Sequence, residues 1–420
     1  MIAIAALSLS ACTSSDPSVA SVDTATIDEG LAGEIDAAIE SAMKQSGSTE
    51  AVLGVWGSDG NSYVRGYGES GVDSGARIRA AQASQPVMCA LLLDLVAAGK
   101  ADLDRKVTED LTRQAGIDDV TYRQLCDMKS GIADYKKRLA PIFANNPTRF
   151  WPEQELIAQG LAGSPLSWPG LDVHVSDTNA VLLARALRVV TGEDMENLLD
   201  NHVFSKAGMG DSYYPNLESN VIPGDTLTGL TYPKNGNKVV CDAGVTEVTE
   251  VSPSMLSGAG ATVTTVTELK SFYEHYLDGT FGGNQAGVVT ETAPLKNPAR
   301  KKSGTPKSEP DTAGNQWAFG MEKVGPLYGR AGAITGTLTA AFHDPESGYS
   351  VVVALNNSTA GETFAEALAL QLAALSSEAG IAPEVNWSAA KQEKRLAKRA
   401  VCDSQEVVIA GTDEEAKKEE

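Results

Sequence analysis

The chain has 420 residues, 42% of them hydrophobic, which is enough to bury a substantial core in one large domain or two ordinary ones. Acidic residues outnumber basic ones by 55 to 34, and the formal charge of −21 repels phosphate backbones and anionic headgroups, so nucleic acid is excluded as a natural partner. No apolar run reaches the roughly 20 residues that a membrane-spanning helix needs.

In chain order, the first stretch is MIAIAALSLSACTSSDPS, an apolar run ending in Leu9-Ser10-Ala11-Cys12. It resembles the lipobox of bacterial lipoproteins, where cleavage leaves a lipidated cysteine. That implies a signal segment over residues 1–12, lipidation at Cys12, and export to the outer face of a bacterial membrane with acyl chains as the only anchor. Residues 13–29 open on a Ser-, Thr- and Asp-rich stretch that suits a solvated tether. The four other cysteines, Cys89, Cys126, Cys241 and Cys402, are an even number in a chain expected to meet an oxidising space. They allow three pairings, and Cys89, inside the apolar run Val87 to Val96, also reads as a small core residue. Their spacing fits no zinc site.

Leu31 to Lys44 has the periodicity of an amphipathic helix, and EAVLGVWGSDGNSYVRGYGE reads as two strands around Ser58-Asp59-Gly60. Pro86 in a first turn and Gly99 after an apolar run to Ala98 bound a second helix. Helical patterns are expected to dominate from about Ala101 to Gly244. Beyond Ser257, strands are expected in GAGATVTT, QWAFGMEKVG, GTLTAAFHD and YSVVVALNN, with helices at Val266 to Tyr276 and Phe364 to Ser377. Residues 386–420 hold a charged helix, Ala389 to Lys398, and a polar tail expected to be disordered. This order predicts an α+β fold whose mainly antiparallel sheet is built from both ends of the domain, with a helical lobe inserted between them.

Several blocks then resemble the serine β-lactamase and D-alanyl-D-alanine carboxypeptidase family, in its class C-like, penicillin-binding-protein-like branch. They are AAGKADLD, VTYRQLCDMKSGIADY, WPGLDVHVSDTNAVLLARALRVVTGEDMENLLDNHVFSKAGMGDSYYP, SGAGATVTTVTELKSFYEHYLDG, GRAGAITG and HDPESGYSVVVALNNS, all in family order. The resemblance implies one such domain over residues 30–385, with the helical lobe at about 101–244. It also implies three motifs, each altered here. Ser-x-x-Lys, in which the amine one helical turn on takes the proton of the serine, falls on Gln82 and Gln85. Neither carboxamide is a nucleophile or a base near neutral pH. Tyr-x-Asn falls on Val175-Ser176-Asp177, so the phenol is gone and the amide has become a carboxylate. The basic residue-Thr-Gly motif falls on Arg330-Ala331-Gly332, keeping charge and glycine but losing the hydroxyl.

Other nucleophiles are poor substitutes. Ser84 lies about 200° round a helix from Gln82 and is expected to point away. Ser130 and Ser176 read as turn or packing residues, and Cys89 as an inert thiol two turns deeper. The histidines, His174, His202, His275 and His343, show no metal spacing. Asp172 and His174 share a face only if that segment is extended. SGAGA lacks the lysine of a phosphate loop and reads as tight packing beside the cleft.

The family's fold further implies that the elements carrying Cys89 and Cys126 pack together, so these two are expected to pair, and Cys241 with Cys402. In the family the backbone N–H groups at the nucleophile and after the third motif, here Gln82 and Ala333, hold a substrate oxygen. With Arg330 as a planar carboxylate clamp opposed by Asp177, the implied function is a non-catalytic envelope protein that binds a peptidoglycan-like peptide or a protein partner. No cofactor and no metal are expected. The alternatives are an active carboxypeptidase or esterase with displaced catalytic residues, and a structural protein with a closed cleft.

Overall fold

The computed structural model describes residues 23–235, 238–301, 304–309, 311 and 313–402. Cys12, most of the expected tether and the polar tail lie outside the described residues. Strands β1 (Thr24–Ala25), β2 (Ala51–Trp56) and β3 (Ser62–Tyr67) come from the N-terminal part. Strands β4 (Ala293–Pro294), β5 (Gln316–Trp317), β6 (Glu322–Val324), β7 (Leu327–Ile334), β8 (Thr337–His343) and β9 (Ser350–Leu355) come from the C-terminal part. They form one sheet in the order β1-β3-β2-β9-β8-β7-β6-β5-β4, antiparallel throughout. The β9–β2 pairing joins the two ends of the chain, as the sequence predicts.

Alternation along these strands feeds two cores. Ala51, Leu53 and Val55 of β2, with Val351, Val353 and Leu355 of β9, pack under helices α1 (Glu29–Ser46) and α9 (Glu362–Glu378). Val52, Val352 and Ala354 point the other way, into the core shared with the helical lobe. A sheet covered on both faces needs apolar residues at consecutive positions, which is why β9 runs Val-Val-Val-Ala-Leu after Ser350, without a polar alternate. A last helix, Ala389–Ala397, packs against α9.

The lobe contains α2 (Pro86–Ala97), α3 (Tyr122–Cys126), α4 (Lys136–Asn145), α5 (Glu153–Leu161), α6 (Asp177–Thr191) and α7 (Met195–Leu199), and α8 (Val266–Leu277) returns to the sheet. Pro86 opens α2 and Gly99, at φ +69°, ends it in the left-handed region, as its sequence predicts. Helix does not continue to Gly244. Past a π turn at Asp200–Phe204, the described residues up to 252 hold only a 3₁₀ turn and short two-stranded pairings, among them Leu230–Thr231 with Thr246–Glu247. Pro215, Pro223, Gly224, Gly229 and Pro233 break any helical run there. GAGATVTT is likewise mostly not a strand. Ser257–Ala259 is a 3₁₀ turn, and Val263–Thr264 alone pairs, with Ile78–Arg79.

Disulfides join Cys89 to Cys126, tying α2 to α3, and Cys241 to Cys402. Cys89 is therefore not a free core thiol. The second bridge spans 161 positions, and in the chain-entropy model a loop of that size stabilises the fold by about 5 kcal/mol.

Candidate functional site

A 3₁₀ turn, Ala81–Ser84, leads into α2 and is gripped from two sides by glycines. A Cβ at Gly332 in β7 would stand 2.2 Å from the Gln82 nitrogen, and one at Gly260 would stand 2.4 Å from the Ala81 carbonyl carbon. Only glycine permits both approaches. Ala81, at φ +46°, holds a left-handed conformation that is unfavourable for alanine. Such strain persists where the surroundings impose it, and here it aims the Gln82 backbone at β7.

Gln82 is fully buried. Its Nε2 donates to Asp177 Oδ2 at 2.6 Å, and its Oε1 accepts from the Ala333 N–H at 2.9 Å. One turn on, Gln85 Nε2 donates to Asp177 Oδ1 at 3.1 Å. Asp177 is the first residue of α6, where the helix dipole favours its charge, and it is 2% exposed. Two cations complete its surroundings, Lys136 Nζ at 3.4 Å and Arg330 Nη2 at 3.6 Å. The Arg330 guanidinium also lies over the Trp317 ring, 4.8 Å from its centroid. Gln85 Oε1, Arg330 Nε and Ser176 Oγ are buried here with no hydrogen-bond partner.

The sequence-predicted residues therefore converge, with two exceptions. Along β7, Arg330 and Gly332 face the turn, whereas Ala331 packs toward the α1 and α9 core and Ala333 supplies only its backbone. Val175 lies outside the polar centre, against Met128, Val173 and Trp317. Arg330 faces the protein's own carboxylate, in place of the free clamp that a ligand would need.

The other candidate nucleophiles are engaged or inward. Ser84 Oγ donates to the Ala81 carbonyl, and Ser130 Oγ donates to Asn179 Oδ1 at 2.5 Å. Asp172 is bound by the Arg300 guanidinium. Among the described residues no group of three or more His, Cys, Asp or Glu side chains is placed to hold a metal. SGAGA packs tightly, as expected. A Cβ at Gly258 would stand 2.5 Å from Ala184 Cβ.

Lys136 and Trp317 were not legible as site residues. Lys136 bridges Asp177 and, at 3.5 Å, Glu362. Burial works against its charge, but Asp177, Glu362 and Asp134 outweigh that and raise its pKa. Burial, reinforced by Asp177, pushes Asp134 up to about 7, and burial pushes Glu322 up to about 7 against the pull of Arg330.

These two carboxyls carry a pH signature. Their ordinary values are 3.8 and 4.5, so between those values and about 7 the folded chain holds protons that the unfolded chain has released. Their stabilising share is fully present below the unfolded values and is lost as pH rises through 7. Asp134→Asn with Glu322→Gln is expected to gain stability over the parent at pH 8 and close to nothing at pH 4. Urea titrations at the two pH values check this, and an equal gain at both would contradict it.

Comparison with known proteins agrees with this arrangement of elements. The chain is 26% identical over 325 residues to a D-aminopeptidase of Cereibacter sphaeroides, covering 76% of this chain and 57% of that protein. It thus spans a little over half the length of the curated relatives it matches. In fold it is similar to a D-stereospecific amidohydrolase from a Streptomyces species, with TM-score 0.65, 22% identity, and coverage of 79% of this chain and 95% of the other. It is also similar to a penicillin-binding protein from Bacillus halodurans, with TM-score 0.60, 16% identity, and coverage of 76% and 95%. The Beta-lactamase family model matches residues 35–376, from within α1 to within α9 and across every element that builds the site, and the chain belongs to that family.

Proposed function

We propose that this chain is a member of the family that no longer hydrolyses, with its reaction centre filled by its own side chains, and that it serves as a lipid-anchored binding protein of the bacterial envelope. The observation that carries this reading is the double engagement of Gln82. Its carboxamide can neither attack nor take a proton near neutral pH. Its carbonyl occupies the Ala333 N–H that would otherwise hold a substrate oxygen, and its amide pins Asp177. The lipobox-like Leu9-Ser10-Ala11-Cys12 and the two disulfides support export.

The ligand class we attach to it is D-aminoacyl peptides, such as wall fragments ending in D-alanyl-D-alanine. Its support is the names of the D-aminopeptidase and the D-stereospecific amidohydrolase that this chain resembles. Lys136, the partly exposed cation at the edge of the closed centre, is the group such a ligand's carboxylate would meet. Incubation with a fluorescent penicillin and an active-site phosphonate is expected to leave the intact mass unchanged, with no turnover of a D-amino-acid amide. A stoichiometric adduct on a serine within the site would overturn the reading and favour an active hydrolase with displaced residues.

A further inference from the structure

Three residues before Gln82, Arg79 presents an unusual electrostatic situation. Arg77, two residues earlier, is paired with Asp211 at 3.3 Å. Arg79 has no such partner: among the described residues no carboxylate lies within ion-pair distance of it, and its Nη2 donates to the Asn220 carbonyl at 2.8 Å. Burial pushes its pKa down to about 10, with only the Tyr213 phenol opposing. The hydroxyl of that phenol is itself buried and has no hydrogen-bond partner. An arginine stays charged at any ordinary pH, so a largely buried guanidinium without a counter-charge is costly. In a chain with a formal charge of −21, that isolation is not for want of acidic residues.

Beside Arg79 lies a cavity of about 170 Å³. Arg79, Thr335 and Thr337 give it a polar wall, and Ile222, Leu227 and Val251 give it an apolar one. The Thr335 hydroxyl makes only a weak contact, to Met255 Sδ at 3.9 Å. A fixed cation with hydroxyls on one side and branched aliphatic groups on the other matches a small organic acid, because the guanidinium offers planar N–H donors to a carboxylate while the body is removed from water. We propose that this cavity binds a small carboxylate carried on a branched apolar body, with Arg79 as its anchor. The site is separate from the centre at Gln82 and does not depend on whether that centre hydrolyses.

Calorimetric titration of the whole chain at matched ionic strength tests this with three probes: 3-methylbutanoate, its neutral isostere 3-methylbutanamide, and inorganic phosphate. Saturable binding of the acid alone is expected, weakened about tenfold or more in Arg79→Gln by loss of hydrogen bonds to a charged group. Val221 also lines the cavity and is 57% exposed, so Val221→Trp narrows the entrance without disturbing the core and is expected to abolish binding. Equal binding of acid and amide, binding of phosphate in place of the acid, or no binding at all overturns the proposal. Should Arg79→Gln fail to fold, undiminished binding in Val221→Trp overturns it equally.

Discussion

Gln82→Ser combined with Gln85→Lys is expected to leave hydrolysis of a chromogenic ester or a D-amino-acid amide within about tenfold of the parent chain, although it rebuilds a hydroxyl and an amine one turn apart. In comparable hydrolases, loss of the nucleophile or its base costs about 10⁶-fold, and the groups act as a unit. The local electrostatics explain why two substitutions are not expected to recover that factor. Gln85 Nε2 stands 3.1 Å from Asp177 Oδ1, so an ammonium placed there meets a buried carboxylate and is held protonated. A protonated amine cannot accept the hydroxyl proton of the introduced serine. Val175 offers no phenol to pass a proton to the leaving group, and it sits among Met128, Val173 and Trp317. Adding Asp177→Asn removes the trapping charge, so the introduced amine can accept a proton. This triple variant is expected to exceed the double variant by about 10²-fold, the lower range for a positioned acid or base. Initial rates and intact mass after β-lactam exposure read both. Rapid turnover by the double variant alone would show that Asp177 is not the block.

How much of this was legible depended on the range of the interactions. The sheet strands and the long helices carry their own periodicity, and Pro86 and Gly99 mark the bounds of α2 locally. Residues 205–252 carry none, since prolines and glycines interrupt every periodic run and the segment is ordered by contacts such as the Cys241–Cys402 bridge. The site splits in the same way. Gln82, Gln85 and Asp177 were placed by matched flanks, but their contact joins residues more than 90 positions apart, and no local pattern encodes it. Lys136 was missed because Lys136 and Lys137 are identical neighbours opening α4. Only the fold decides that the first turns toward Asp177 while the second is exposed. Trp317, alone in a two-residue strand, announces nothing until Arg330 lies over it.

Asp177→Ala is expected to destabilise the fold by about 3–5 kcal/mol, the cost of stripping a buried charge of its partner. Arg330 is 5% exposed and already has one orphaned nitrogen, Nε. Without Asp177 its charge keeps only the Trp317 face and the more distant Glu322. Two carboxamide N–H₂ groups, those of Gln82 and Gln85, lose their acceptor at the same moment, and each unsatisfied buried donor adds its own desolvation cost. Lys136 loses less, because Glu362 remains at 3.5 Å and the ammonium is partly exposed. Asp177→Asn is not a mild alternative: its amide N–H₂ would face donors, so it is expected to recover little of the loss. Arg330→Met in the Asp177→Ala background removes the stranded cation and is expected to restore at least about 1 kcal/mol, as buried ion pairs tolerate joint replacement by apolar groups of similar volume. Urea unfolding of the two single variants and the double one, with slopes compared to the parent, measures the coupling. Additive losses would mean that Asp177 and Arg330 do not share their burial cost, and the closed centre would then rest on Gln82 alone.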